Sequence, residues 1–274
     1  MHFNPVPDYH MHTPRCNHAT GTVLEYAEAA IAAGLTEIGM SDHSPMPGGF
    51  DKAWRMDRSE MSHYLEEVAQ ARDLLSDQLT IRIGLEADFH PGTESWVEEM
   101  IASYPWDYVI GSVHYIADWG FDNPDCMQIW DTWHIDDAYI AYFELVARSA
   151  ATGMFDIIGH PDLIKKFGHR ADRNNVAVQQ AEEAMLQAVR KSGAALEISS
   201  AGLRKPVAEI YPHHRIVGRA AELGIPFAFG SDAHSPVEVG HGMGQCLAVL
   251  SSFGVCDIAA FESRNMNMVP LNRA

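Results

Sequence analysis

Seven times along this chain a short apolar run suited to a strand ends at a polar residue, and in most cases a stretch with helical periodicity follows. That repeat, without an antiparallel hairpin signal, argues for an α/β protein with a parallel sheet. The runs end at His12, at Ser41-Asp42-His43, at Glu86, at His114, at His160, at Ser199-Ser200 and at Asp232-Ala233-His234. Between them, helices are predicted over 23–31 (closed by Gly34), 58–75, 93–103, from a cap at Asp136 or Asp137 to about 152, over 176–192 and over 213–223. Polar residues at every strand end favour a closed barrel, whose βα loops converge on one face. An open doubly wound sheet is the alternative, but it gathers ligands at one switch point instead of using every strand. No Gly-x-Gly-x-x-Gly and no P-loop follows any strand. The 274 residues suffice for one barrel, and no linker suggests two domains, so residues 1–274 are read as a single domain.

Asp8-Tyr9-His10-Met11-His12 is the first of these strand ends. Residues i and i+2 of a strand share a face, so His10 and His12 stand side by side, which is poor core material but suits a metal ion. His-x-His alone is a weak signal. Further along, however, His18, His43, Glu86, His114, His160, Asp232 and His234 occupy equivalent places. Nine such residues exceed the three or four protein ligands of one catalytic ion, so they imply two or three ions, especially if a carboxylate bridges. His2, His63, His90, His134, His169, His213, His214 and His241 lack this placement and read as surface or loop residues.

Composition narrows the partners. A net charge of −18, from 37 acidic and 19 basic residues, repels a phosphate backbone and disfavours a nucleic-acid binder. No apolar run is long enough to span a membrane. The four cysteines are widely spaced, and the first residues lack a signal-peptide pattern, which predicts a cytoplasmic protein with reduced thiols. The stretch from 116 to 133 carries Trp119, Phe121, Trp130 and Trp133 among Asp and Asn, and reads as a lid or substrate loop.

The ordered set Asp8-Tyr9-His10-Met11-His12, Asp42-His43, Gly84-Leu85-Glu86, Gly111-Ser112-Val113-His114, Gly159-His160-Pro161-Asp162 and Gly230-Ser231-Asp232-Ala233-His234 resembles the polymerase and histidinol phosphatase (PHP) family of metal-dependent phosphoesterases. The resemblance covers essentially the whole chain. Within that family it is most similar to the stand-alone L-histidinol-phosphate phosphatases, through Trp119-Gly120-Phe121-Asp122 and Ser200-Ala201-Gly202-Leu203-Arg204-Lys205-Pro206.

The resemblance implies a distorted (β/α)7 TIM-like barrel of PHP type and a trinuclear centre of zinc, manganese or iron. It would put one ion on His10, His12, Glu86 and Asp232, a second on Glu86, His114 and His160, and a third on His18, His43 and His234. A hydroxide bridging the ions would then attack phosphorus, hydrolysing a small phosphate monoester, with L-histidinol phosphate as the expected substrate and histidine biosynthesis as the setting. Arg204 is the expected phosphate clamp, because a guanidinium fork matches two phosphoryl oxygens, and Lys165 and Lys166 are weaker candidates. Asp42 is expected to relay a proton or orient a histidine. Trp119 and Phe121 are expected to face the substrate's cationic end.

Three other readings compete. Amidohydrolases share His-x-His but commonly use a carboxylated lysine where this chain has Glu86. A nuclease or nucleotide phosphodiesterase of the same family is disfavoured by the charge. A catalytically silent metal-binding interaction module is disfavoured because all nine residues are present.

Overall fold

A computed structural model describes residues 3–271 of the chain; His2 lies outside the described residues. Six parallel strands, β1 (Glu37–Met40), β2 (Thr80–Asp88), β3 (Tyr108–Ser112), β6 (Ile157–Ile158), β7 (Ala195–Ser199) and β8 (Phe227–Gly230), pair in that order. Between β3 and β6 stands a small antiparallel hairpin, β4 (Tyr115–Ile116) with β5 (Trp119–Gly120). The seventh staff of the barrel is the stretch 8–12. Asp8 bridges to Ile38 of β1 and Met11 to Ala233 just past β8. The Gly39 N–H donates to the Asp8 carbonyl at 2.8 Å and the Tyr9 N–H to the Phe229 carbonyl at 3.1 Å. The two edges of the curled sheet are thus joined through His10-x-His12, giving the expected distorted (β/α)7 barrel of PHP type.

Helices α1 (Val23–Ala32), α2 (Met61–Leu74), α3 (Glu94–Ser103), α4 (Ile135–Ala151), α5 (Val176–Ser192), α6 (His214–Glu222) and α7 (Met243–Ser252) surround the sheet. Their starts follow local chemistry: Thr22 and Glu25 form a reciprocal capping box on α1, and Asn175 caps α5 through the Ala177 N–H. The cap of α4 is His134, so Asp136 and Asp137 lie inside the first turn. Asp136 instead accepts hydrogen bonds from the Asp172 N–H and the Asn175 amide, tying α4 to the start of α5.

Alternation along the strands sorts side chains between the helical shell and the barrel interior. Val109, Leu196, Ile198, Phe227 and Phe229 pack outward, whereas Tyr108, Ile110, Ile157, Ala195 and Ala228 fill the interior. Tyr108 fits because Gly39 and Gly84 face it: a Cβ at Gly39 would lie 2.2 Å from its hydroxyl oxygen and one at Gly84 2.3 Å from its ring. The interior is plugged at its base by Phe261, whose ring contacts Tyr9 (centroids 5.6 Å apart). Phe261 belongs to an antiparallel hairpin, β9 (Asp257–Glu262) and β10 (Asn265–Pro270), that the sequence does not announce. Its two-residue turn is Ser263-Arg264, both at positive φ, without the Asn-Gly or Asp-Gly that marks such turns.

Candidate metal centre

At the C-terminal end of the barrel the strand ends converge as expected. Glu86, buried near the end of β2, is the hub. Its Oε2 lies 3.3 Å from His10 Nε2, 3.7 Å from His12 Nε2 and 2.7 Å from His43 Nδ1. Its Oε1 lies 3.0 Å from His160 Nε2 and 3.6 Å from His114 Nε2. One carboxylate therefore faces two separate groups of imidazoles. Asp232 Oδ1 approaches His12 Nε2 at 3.1 Å and His10 Nε2 at 3.8 Å. His18 and His234 form a third group, with His12 stacked on His234 at 4.1 Å and His43 between (4.3 Å from His12, 5.3 Å from His18). All nine residues singled out from the sequence come together.

Hydrogen bonds behind the rings decide what the inward nitrogens can do. The Nδ1–H groups of His10 and His114 donate to Glu197 (2.6 Å) and Asp88 (2.5 Å). Those of His18 and His234 donate to the carbonyls of Cys16 (2.8 Å) and Asp232 (3.1 Å). In a neutral ring with its proton on Nδ1, the Nε2 atom is a bare lone pair. Yet His18 Nε2 and His234 Nε2 face each other at 2.9 Å, and buried His10 Nε2 faces the Glu86 carboxylate without a hydrogen-bond partner. Acceptors in contact with acceptors call for a cation between them. The donors fit metal ions, and the partners behind them are of the kind that orient metal-binding histidines.

Charge tells the same story. Burial opposes ionisation of Glu86, but His43, His10 and His114 outweigh it and hold the carboxyl well below its usual range. Burial likewise opposes Asp232, and His10, His12 and His234 hold it low. Burial works against a charged His10 too, but Glu197, Glu86 and Asp232 raise it well above the ordinary imidazole value, so these acids favour a positive charge at its Nε2, whether a proton or a metal ion. Meanwhile burial, assisted by His12, pushes His18 down to about 4 and His234 well below its ordinary value. The cluster holds two ionised acids and suppresses the charge on several of its bases.

Residues 8–201 match the PHP domain family and residues 212–245 its PHP-associated region. The chain belongs to the PHP domain family. A Deinococcus radiodurans protein named "Probable histidinol-phosphatase" is 49% identical over 233 residues, covering 85% of this chain and 88% of its own length. The "Histidinol-phosphatase" of Bacillus subtilis is 28% identical over 255 residues, covering 85% and 95%. In three dimensions the PHP domain superposes on histidinol phosphate phosphatase from Lactococcus lactis, solved with zinc, L-histidinol and phosphate, with a TM-score of 0.80, 21% identity and coverage of 95% and 98%.

Above the PHP histidines opens a cavity of about 380 Å³, within the range of small-molecule sites. Its walls include Trp54, Tyr115, Phe167, Asp122, Lys166 and Lys205. A larger cavity of about 560 Å³ lies beside it, sharing Arg55, but contains no histidine and is lined by pairs such as Arg15–Glu67.

Four residues expected to meet the substrate, Arg204, Lys165, Trp119 and Phe121, do not line the cavity above the histidines. The Arg204 guanidinium donates to the Ser231 and Asp232 carbonyls at 2.8 and 3.0 Å and pairs with Glu238, bracing the turn in which Asp232 takes a positive φ of 51°. Lys165 is only 2% exposed and points the other way, to Asp162 and the Ile210 carbonyl, both at 2.8 Å. Its neighbour Lys166 reaches the cavity and pairs with Asp122 at 3.0 Å. Trp119 and Phe121 are buried away from it: Trp119 stacks on Trp133 and meets Trp130 edge-on, and Phe121 packs on Tyr142. The loop keeps its aromatics for the core and turns Gly120, Asp122 and Asn123 to the cavity.

Asp42 is fully buried behind His12. It accepts from the Thr13 hydroxyl and from the Thr13 and His43 N–H groups, and lies 3.6 Å from His12 Nδ1. That placement orients a histidine and gives it no contact with the cavity.

Several residues of the site carried no strand-end signal. Glu197, 1% exposed, accepts from His10 and, at 2.5 Å, from the His160 N–H. The clue was a carboxylate in the middle of the apolar run Ala194 to Ile198. Asp88 follows Glu86 by two residues on the same face of β2, which extends two residues beyond Glu86. Arg55 is buried in a loop, 2.5 Å from Asp88 and 2.7 Å from His43 Nδ1, and nothing local marks it. Cys16 is buried with its sulfur within 4.8 Å of ligand atoms of His18 and His234, so the cluster is not free of thiols.

Proposed function

We propose that this chain is a metal-dependent phosphoric monoester hydrolase that converts L-histidinol phosphate to L-histidinol and phosphate, a step of histidine biosynthesis. The carrying observation is Glu86, whose two oxygens stand between separate sets of inward imidazole nitrogens beneath a cavity of small-metabolite size. The names of the Deinococcus and Bacillus relatives support the substrate.

In this reading His10, His12, Glu86 and Asp232 hold one ion, Glu86, His114 and His160 a second, and His18, His43 and His234 a third. The donor chemistry suits zinc, manganese or iron. When bound, the ions supply a water acidified to near neutrality and positive charge for the phosphoryl oxygens. The protein's own part is orientation. Glu197, Asp88 and the Cys16 and Asp232 carbonyls hold protons on Nδ1 so that Nε2 keeps a bare lone pair for a metal, and Asp42 backs His12. Lys166 and Lys205 on the cavity wall attract the phosphate. Asp122 offers a carboxylate to the substrate's ammonium. The plug of Phe261 under the barrel supports a single domain over residues 1–274, and four unbridged cysteines support a cytoplasmic setting. Among the described residues no helix is long and apolar enough to cross a membrane.

The test is phosphate release by metal-reconstituted protein from histidinol phosphate, other amino-alcohol phosphates, nucleotides, cyclic diesters and an aryl phosphate. A kcat/KM for histidinol phosphate at least about 100-fold above the aryl phosphate is expected, the scale of two or more specific contacts. Equal rates would refute the substrate; no release from any of them would refute the enzyme.

A further inference from the structure

Behind the loop that carries His160 lies a third, separate cavity of about 130 Å³, between α4, α5 and the start of α6. Its floor is apolar where Phe143, Val178 and Ile216 contribute, but it also holds buried charge. Asp162, 2% exposed, uses Oδ2 for Lys165 and the His213 N–H, while its Oδ1 has no partner. Glu182 also lines the floor, one oxygen taken by Arg215 at 2.5 Å. Burial, with Asp162 adding repulsion across the cavity, raises Glu182 to about 7 against the pull of Arg215. Each carboxylate is thus paired with its own cation, Lys165 or Arg215, which also line the cavity with Arg170 and Asp172, and each keeps one oxygen outside that pair. At the rim stands a cation without such a pair. Arg173 meets only the ring nitrogen of His213, at 3.0 Å, and no carboxylate among the described residues.

Carboxylate oxygens left free by two ion pairs within, a guanidinium without a carboxylate at the mouth and apolar walls between are complementary to one chemical class. We propose that this cavity binds a small α-amino acid zwitterion, its ammonium on Asp162 and Glu182, its carboxylate on Arg173, and its side chain against Val178 and Ile216. The volume agrees: a cavity of about 150 Å³ holds a ligand of about six non-hydrogen atoms, the size of alanine. The occupant touches the far side of the segment that presents His160 and Lys166 to the metal centre, since Asp162 and Lys165 lie between.

Isothermal titration calorimetry of the metal-loaded full chain with glycine and L-alanine tests this. Saturable binding of one equivalent is expected. Arg173→Ala and Glu182→Gln should each weaken it by about tenfold or more, the loss of one charge-assisted contact, while leaving phosphate release without amino acid at the wild-type rate. That retained activity shows that the variants fold. Acetate and methylamine, each carrying half of the charge pattern, should bind at least about tenfold more weakly. The proposal is overturned by absence of saturable binding up to about 50 mM, by unchanged affinity in both variants, or by acetate or methylamine binding as tightly as the amino acids.

Discussion

Replacing Glu197 by Gln changes one atom's identity and leaves the shape, so its consequence can be worked out from the contacts. One Glu197 oxygen accepts the His10 Nδ1–H at 2.6 Å and the other accepts the His160 backbone N–H at 2.5 Å, with the side chain 1% exposed. An amide has one acceptor and one donor end. If its oxygen stays on His10, the amide NH2 confronts the His160 N–H, two donors face each other, and a buried donor without a partner costs about 1–3 kcal/mol. If the amide turns over, its NH2 donates to His10 Nδ1 and moves the ring proton to Nε2, the atom required for a metal. Loss of such an outer partner typically lowers metal affinity about 10–100-fold, equivalent to about 1.4–2.7 kcal/mol. Zinc affinity by competition with a chromophoric chelator, together with the melting temperature of the metal-free protein, reads both branches. Glu197→Gln should lower one or the other. If zinc affinity stays within about twofold of wild type and the metal-free protein melts at the same temperature, the tautomer argument is wrong.

Gly230→Ala places a Cβ 2.0 Å from Glu197 Oε1 and 2.7 Å from His10 Cβ; it should reproduce the zinc loss of Glu197→Gln, and wild-type metal content would contradict the packing. Arg204→Ala frees the Asp232 turn, so metal content should fall along with kcat; a raised KM with full metal content would restore Arg204 as a phosphate clamp. Lys166→Ala should raise KM for the phosphate ester about tenfold or more while Lys165→Met leaves KM near wild type and lowers the melting temperature, because only Lys166 faces the cavity. Glu182 is raised from 4.5 to about 7 chiefly by burial, so its stabilising contribution is complete below pH 4.5 and is lost as pH rises through about 7. The stability of wild type relative to Glu182→Gln should therefore fall over that window, by at most about 3 kcal/mol; a difference independent of pH in chemical denaturation would refute the assignment.

Barrel architecture and the nine inward residues were legible in the sequence because both follow from short-range periodicity. A run that alternates or stays apolar for five residues and stops at a histidine declares a strand and the end of it at once, and parallel strands bring such ends to one face. Glu197 obeys the same alternation, on the face of Ala195, and was legible to a reader who asked what a carboxylate does in mid-strand. The remainder depended on tertiary structure. Lys165 and Lys166 are adjacent and chemically alike, and only the path of the loop after His160 sends one into the core and the other to the cavity. Trp119 and Phe121 sit in a polar stretch that resembles a lid, but four neighbouring aromatics gain more by packing on one another and on Tyr142 than by facing water. Arg204 looked like an anion clamp until the Asp232 turn, 28 residues away, supplied carbonyls for its guanidinium. Arg55 and the β9–β10 plug have no local pattern, since their partners, Asp88 and His43 for one and Tyr9 for the other, are met only when the chain closes. Residue type and period determine which groups can do chemistry here; the closure of the barrel decides which of them face it.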